Sequence, residues 1–276
     1  MRTAADVPSK SRTYSVVVEI GQTAIVLRTH DSSFCKVLEN RYSGFVNPSA
    51  TSRSQFDIHL LDDEAAETEP NEELQVKMRD GRWILRRGDF RAEWNPETGE
   101  GHIRQFANPY SPDAVLRIVH SLILAREGGF LIHAASAIRN GKAFLFSGVS
   151  GAGKTTISRL APSDAVLLTD EISYVKPDGK QYRAFGTPFA GELAKLGENL
   201  SAPLSTLFLL EKGPENRIES VPSDEAARLL LRNVLFFAED PELVNLLFQS
   251  ACNFVEKVPV RRLVFVPDSR VWQMIG

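Results

Sequence analysis

Gly148-Val149-Ser150-Gly151-Ala152-Gly153-Lys154-Thr155-Thr156 fills every fixed position of the pattern G-x-x-x-x-G-K-[ST]. An apolar run, Ala143-Phe144-Leu145-Phe146, precedes it, and a helical segment from Lys154 to Leu160 follows. Strand, glycine loop and helix in that order form the context in which this pattern cradles phosphates. Glycine removes the Cβ that would block the turn, so successive N–H groups can face one concavity. Gly148, Ser150, Gly151, Ala152, Gly153, Lys154, Thr155 and Thr156 are therefore the expected nucleotide-binding residues. The Lys154 ammonium suits the β- and γ-phosphates, and Thr155 offers its hydroxyl to Mg2+. ATP or GTP with Mg2+ is the expected ligand; the motif does not specify the base.

The next strand-like run, Ala165-Val166-Leu167-Leu168-Thr169, ends in two carboxylates, Asp170 and Glu171. A carboxylate at the C-terminal end of a buried strand sits at the ligand-binding edge of an α/β sheet. There it can hold Mg2+, directly or through water, or take a proton from a hydroxyl acceptor. The alternative is a surface strand end with two solvated acids. Between loop and acids there is room for one short helix and one strand, a compact arrangement suited to a small kinase-like site. His133 lies in Phe130-Leu131-Ile132-His133-Ala134-Ala135-Ser136, a strand placed just before the one that leads into the glycine loop. A histidine among apolar neighbours is ordinarily a satisfied core residue. On a strand beside the loop it can instead steady a transferred phosphate as an imidazolium.

Outward from this centre the chain reads as α/β, with a β-rich front. Tyr14–Ile20 and Thr23–Leu27 flank a Gly21-Gln22 turn and read as a hairpin. Short alternating runs around Asp80-Gly81, Gly88-Asp89 and Asn95-Pro96-Glu97-Thr98-Gly99 read as an antiparallel meander. Between these parts, 62–73 is an acidic stretch with no Lys or Arg and reads as a solvated loop. Ser111-Pro112-Asp113 opens a mostly buried helix that ends near Gly128-Gly129. Helices from Ser223 and from Asp240-Pro241-Glu242, and strands at Ser205–Leu210 and Val260–Val266, complete the C-terminal third. The resulting division is a flexible N-terminus (1–13), a β-rich domain (14–107) and a catalytic domain (108–276).

The 276 residues carry 32 Lys plus Arg against 35 Asp plus Glu, so no global positive field recruits nucleic acid or anionic lipid, although a local basic patch is compatible with these totals. No apolar run of about 18 residues is free of charge, which argues against a membrane span, and no secretory signal is visible. Two distant cysteines, Cys35 and Cys252, are expected as free thiols in the cytoplasm. Arg183 and the pair Arg261-Arg262 read as surface residues, and Trp83, Trp94 and Trp272 as packing residues.

Leu131-Ile132-His133, then Phe144 through Thr155, then Leu167-Leu168-Thr169-Asp170-Glu171 resemble the catalytic domain of HPr serine kinase/phosphorylase. That domain shares its phosphate-loop fold with phosphoenolpyruvate carboxykinase. The resemblance covers roughly 128–270 and is specific around 131–171; Phe185-Gly186-Thr187-Pro188-Phe189-Ala190-Gly191-Glu192 also looks like a recurrent loop of related proteins. It implies a histidine near the transferred phosphate (His133), a loop lysine and hydroxyl (Lys154, Thr155), a base toward the acceptor (Asp170) and a Mg2+ neighbour (Glu171). The family usually has two aspartates where this chain has Asp170-Glu171, so the two acids could exchange roles. Related stand-alone kinases beside ribosomal-peptide gene clusters phosphorylate peptide precursors, including lasso-peptide precursors.

The expected function is thus an ATP- and Mg2+-dependent kinase acting on a hydroxyl, a serine of a peptide or protein, with catalytic Asp170, His133 and Lys154 and metal ligands Thr155, Glu171 and Asp170. Nucleic acid and membrane are not expected partners, and a homo-oligomer is left open. Two rival readings are a nucleotide-sensing module without phosphotransfer and a kinase of a small hydroxyl metabolite.

Overall fold

The computed structural model describes residues 12–61, 73–189, 191 and 197–276. The acidic stretch 62–72, most of the N-terminal 1–13 segment, and Ala190 and Glu192 lie outside the described residues. β1 (Tyr14–Ile20) and β2 (Thr23–Thr29) form the expected hairpin. Gly21 and Gln22 both take positive φ, 59° and 64°, as a tight two-residue turn requires.

A helix that composition did not announce follows. α1 (Ser32–Arg41) starts where the Asp31 carboxylate accepts the Phe34 N–H at 2.8 Å, an N-cap bond. It carries the chain over to β3 (Ser52–Leu60), which therefore runs parallel to β2. β4 (Gln75–Arg79), β5 (Arg82–Arg87), β6 (Phe90–Trp94) and β7 (Glu100–Gln105) form the antiparallel meander that their turn residues predict. β7 then pairs in parallel with β3, giving a seven-stranded sheet in the order β1-β2-β3-β7-β6-β5-β4. The sheet is thus mixed, and the antiparallel expectation holds only for its two ends.

α2 (Tyr110–Glu127) ends at Gly128, whose φ of 76° gives the left-handed C-cap. Its side chains are buried on most of its circumference. Val115, Leu116, Val119 and Leu122 share one apolar cluster with Leu27, Phe56, Trp83 and Leu85 of the first sheet and with Leu131, Tyr174 and Phe185 beyond it. A helix apolar all round must be enclosed, and here a sheet lies on either side of it.

The second sheet is built around β8 (Phe130–Arg139). The elements that follow are β9 (Lys142–Ser147), α3 (Lys154–Arg159), β10 (Val166–Thr169), β11 (Ile172–Asp178), β12 (Gln181–Phe185) and β13 (Ser201–Lys212). Then come β14 (Arg217–Ser220), α4 (Ser223–Leu231), β15 (Val234–Leu235), α5 (Pro241–Lys257) and β16 (Val260–Phe265). Pairing closes on itself through β8, β9, β13, β12 and β11. The long strands β8 and β13 thereby belong to two halves of the sheet at once. One face packs on α5, where Phe254 meets Phe130 and Tyr182 edge to face. The other packs on α3 and the C-terminal segment, where the buried Trp272 donates its indole N–H to the Ile157 carbonyl at 3.0 Å.

Candidate active site

β9 leaves the core at Ser147 and the chain turns through Gly148–Gly153 into α3. Gly151 and Gly153 take φ of 76° and 112°. A Cβ on Gly153 would also lie 2.6 Å from the Phe265 ring, so this position excludes any other residue on two grounds. Val149, Ser150 and Gly151 are exposed at the tip, Ala152 and Lys154 are buried, and Thr155 and Thr156 are half-buried. The Lys154 ammonium folds across the loop and donates to the Gly148 carbonyl at 3.2 Å. α3 is six residues long and adds little macrodipole, which leaves the loop amides and the Lys154 ammonium as the groups that can bind an anion here.

The two acids directly follow the sheet strand β10, as the sequence suggests, but a second strand begins at once after them. β10 pairs with β8 from Val166↔Ile138 to Thr169↔Ser136, and β11 resumes the same antiparallel ladder at Ile172↔His133. Asp170 and Glu171 fill a break in one long run along β8. The register is kept across this break, since Thr169↔Ser136 and Ile172↔His133 lie three residues apart on both strands; the irregularity of the ladder falls earlier, between Leu167 and Thr169.

Within that break the acids differ. Asp170 is 3% exposed, and its Oδ1 accepts the Gly191 N–H at 2.9 Å. Glu171 is half-buried, and its Oε1 lies 3.1 Å from Nε2 of His133. The hydrogen bond from His133 holds the Glu171 carboxyl below its ordinary value against the opposing effect of burial. The charges of His133, Lys154 and Arg117 add to the lowering. His133, Lys154 and Glu171, predicted from separate stretches, therefore share one electrostatic neighbourhood. His133 is not a core residue: its side chain is 38% exposed, against 33% for Glu171.

Two residues to which the sequence assigns no role also stand at the site. Arg117 stands on α2 with its guanidinium 4.9 Å from the centre of the Phe189 ring, and no described group accepts a hydrogen bond from its buried Nε. Burial pushes its pKa below the usual guanidinium value. Its sequence signal is a charge that interrupts the apolar run of α2, as His120 does one turn later. Gly191 lies over the acid pair: a Cβ there would approach Glu171 Oε2 to 2.7 Å and Asp170 Oδ2 to 3.0 Å. The resemblance of 185–192 to a recurrent loop was the pointer to it.

One turn before Arg117, Asp113 accepts hydrogen bonds from Arg41 (Nε at 3.2 Å) and from the Tyr42 hydroxyl at 2.7 Å. This ties the end of α1 to the start of α2. Arg183 is committed to Asp178 at 2.8 Å, and Arg262 to Glu225 at 2.9 Å. Cys35 and Cys252 are free thiols. Among the described residues no helix is long and apolar enough to cross a membrane.

Residues 112–276 match the family model described as SynChlorMet cassette protein ScmC, and the chain belongs to that family. No curated protein matches the chain. Among solved structures, the Hpr(Ser) kinase/phosphatase from Coxiella burnetii is similar at 10% identity, over 52% of this chain and 90% of that one, with a TM-score of 0.28.

Proposed function

We propose that the chain is an ATP- and Mg2+-dependent kinase that phosphorylates a hydroxyl, a serine of a peptide or protein such as a ribosomal-peptide precursor. The observation that carries this reading is the His133–Glu171 contact at 3.1 Å, within the field of Lys154 beside the glycine loop. In this reading residues 108–276 form a phosphate-loop catalytic domain like that of HPr kinase, and 14–107 help to recognise the acceptor.

The loop amides of 148–156 hold the polyphosphate, and Lys154 neutralises its β- and γ-oxygens. The acceptor oxygen forms a bond to the γ-phosphorus as the bond to the β,γ-bridging oxygen breaks, ADP departs, and the hydroxyl proton passes to Asp170. The Gly191 N–H on Oδ1 fixes the orientation of the Asp170 carboxylate. His133 steadies charge on the transferred group. Thr155, Glu171 and Asp170 are the residues to hold Mg2+, whose role when bound is to neutralise the phosphate oxygens. Their hard oxygen donors fit that ion. An Mg2+ ion bound by so few protein oxygens would take waters and phosphate oxygens as its other ligands.

The test is transfer of label from γ-labelled ATP to candidate peptides encoded beside the gene. Asp170→Asn is expected to abolish transfer while calorimetric nucleotide binding persists; unchanged turnover removes Asp170 from the mechanism. A second reading, a nucleotide-sensing module that transfers nothing, draws on the near-complete burial of Asp170. Nucleotide binding with no product from any acceptor supports that reading instead.

A further inference from the structure

The outward face of the first sheet carries a row of basic residues that no acid among the described residues neutralises. Strand register sets Arg86 opposite Arg91, Arg91 opposite Arg104, and Arg104 opposite His59. These four residues stand side by side on β5, β6, β7 and β3, and all four are exposed. Neighbouring strands lie about 4.8 Å apart, so the three arginine stems stand within about 10 Å. Like charges directly opposite one another destabilise a sheet.

The next row, two residues along each strand, shows how the same face treats its other charges. There Ile84, Glu93, His102, Asp57 and Arg28 follow one another across the register. Signs alternate, and Arg28 holds Asp57 with two hydrogen bonds, Nε at 2.7 Å and Nη2 at 2.8 Å. His102 Nδ1 lies 4.0 Å from the same carboxylate. By contrast, among the described residues none of the side-chain hydrogen bonds or ion pairs involves Arg86, Arg91 or Arg104. Together with His59, Ile84 and His102 they line a surface concavity of about 480 Å3.

We infer that this arginine row is a docking site for an acidic peptide stretch, whose carboxylates supply the missing anions. An extended peptide presents every second side chain about 7 Å apart on one face, within reach of adjacent guanidinium forks. Each fork can take a carboxylate through two parallel N–H bonds. The surroundings favour a peptide over a nucleic acid. Ile84 offers an apolar contact beside the row, which suits a peptide side chain and not a sugar-phosphate backbone. The site is independent of the phosphotransfer reading.

The test is fluorescence anisotropy of a labelled ten-residue peptide alternating glutamate with valine, against its lysine counterpart and a ten-nucleotide oligothymidylate. Wild type is expected to bind the glutamate peptide with an affinity that falls as salt rises. Arg86→Gln/Arg91→Gln/Arg104→Gln is expected to lose at least tenfold while melting no lower than wild type, because a repulsive row has been removed. A control, Arg53→Gln/Arg79→Gln, keeps the binding. No binding by wild type, or equal binding by the triple variant, overturns the proposal. Tighter uptake of the oligonucleotide also overturns it, making the row a nucleic-acid surface. So does binding that appears only after Asp62, Asp63 and Glu64 are neutralised, since the chain's own acid would then fill the row.

Discussion

His133 Nε2 and Glu171 Oε1 meet at 3.1 Å at the point where the β8–β11 ladder begins, with Ile172 paired to His133 itself. The contact therefore depends on strand register and not on a loop. A one-residue slip of β11 along β8 would turn its side chains to the other face and take Glu171 away from His133.

Glu171→Gln keeps the shape and removes the charge. Mg2+-dependent nucleotide affinity is expected to fall at least tenfold by calorimetry. The wild-type carboxyl titrates below its ordinary value. Its contribution to stability is thus complete above the unfolded value, about 4.3, and is lost as pH falls through the lower folded value. Acid-unfolding curves of wild type and variant should converge only below that window.

Gly191→Ala places a methyl where Glu171 Oε2 and Asp170 Oδ2 now lie within 3.0 Å of it. The carboxylates or the Gly191 backbone must move, and the N–H bond to Asp170 is strained. Turnover is expected to fall at least tenfold. A change of less than about 3 °C in Tm would place the effect in the site and not in folding.

Arg117→Met tests whether a half-buried guanidinium is kept for stability. Its Nε has no partner and burial disfavours its charge. Methionine fills similar space without that desolvation. Tm is expected to rise by a few degrees while Mg2+-nucleotide binding or transfer falls, an opposition typical of residues retained for function. A fall in both would make Arg117 structural.

Asp113→Ala removes the acceptor shared by Arg41 and Tyr42, leaving a charge and a hydroxyl unpaired in the core. Breaking a buried pair from one side costs about 3 kcal/mol. Urea unfolding should show a loss of that order, with Arg41→Met/Asp113→Met recovering part of it.

His120 is completely buried on α2, edge-on to Tyr174 at 5.6 Å, with neither ring nitrogen hydrogen-bonded. Burial, helped by the charge of Lys176, pushes its pKa down to about 3. As pH falls from about 6.5 towards 3 the unfolded chain takes a proton that the folded chain refuses, and stability drops by up to about 1.4 kcal/mol per pH unit. His120→Leu is expected to flatten this limb, so its advantage over wild type should grow between pH 7 and pH 5. An advantage that does not change with pH would show that His120 is already charged in the fold.

Local chemistry made much of this legible beforehand. Turn residues with positive φ, Asp80-Gly81 among them, announced the hairpins, and Gly128 announced the end of α2. Fixed motif positions announced the glycine loop, and the Asp240 cap announced α5. What stayed hidden depends on distant partners. β3 looks polar because only Phe56 and Ile58 fill its large buried positions, and nothing local says that it runs parallel to both neighbours. The break at Asp170-Glu171 is invisible because it is defined by β8, not by the acids. Arg117 reads as an interruption until Phe189 and Glu171 are brought beside it.

The position of β3 between β2 and β7 governs how the polypeptide reaches its final state. The hairpin β1–β2 and the meander β4–β7 can each zip from their own turns, but neither can join the other without β3. Phe56 must wait for Gly101, its register partner, to emerge from the ribosome. Closing such a long loop before any contact rewards it is slow. During synthesis the inner edges of both units are therefore exposed templates for intermolecular pairing, and fragments ending before Gln105 should aggregate where the whole chain does not.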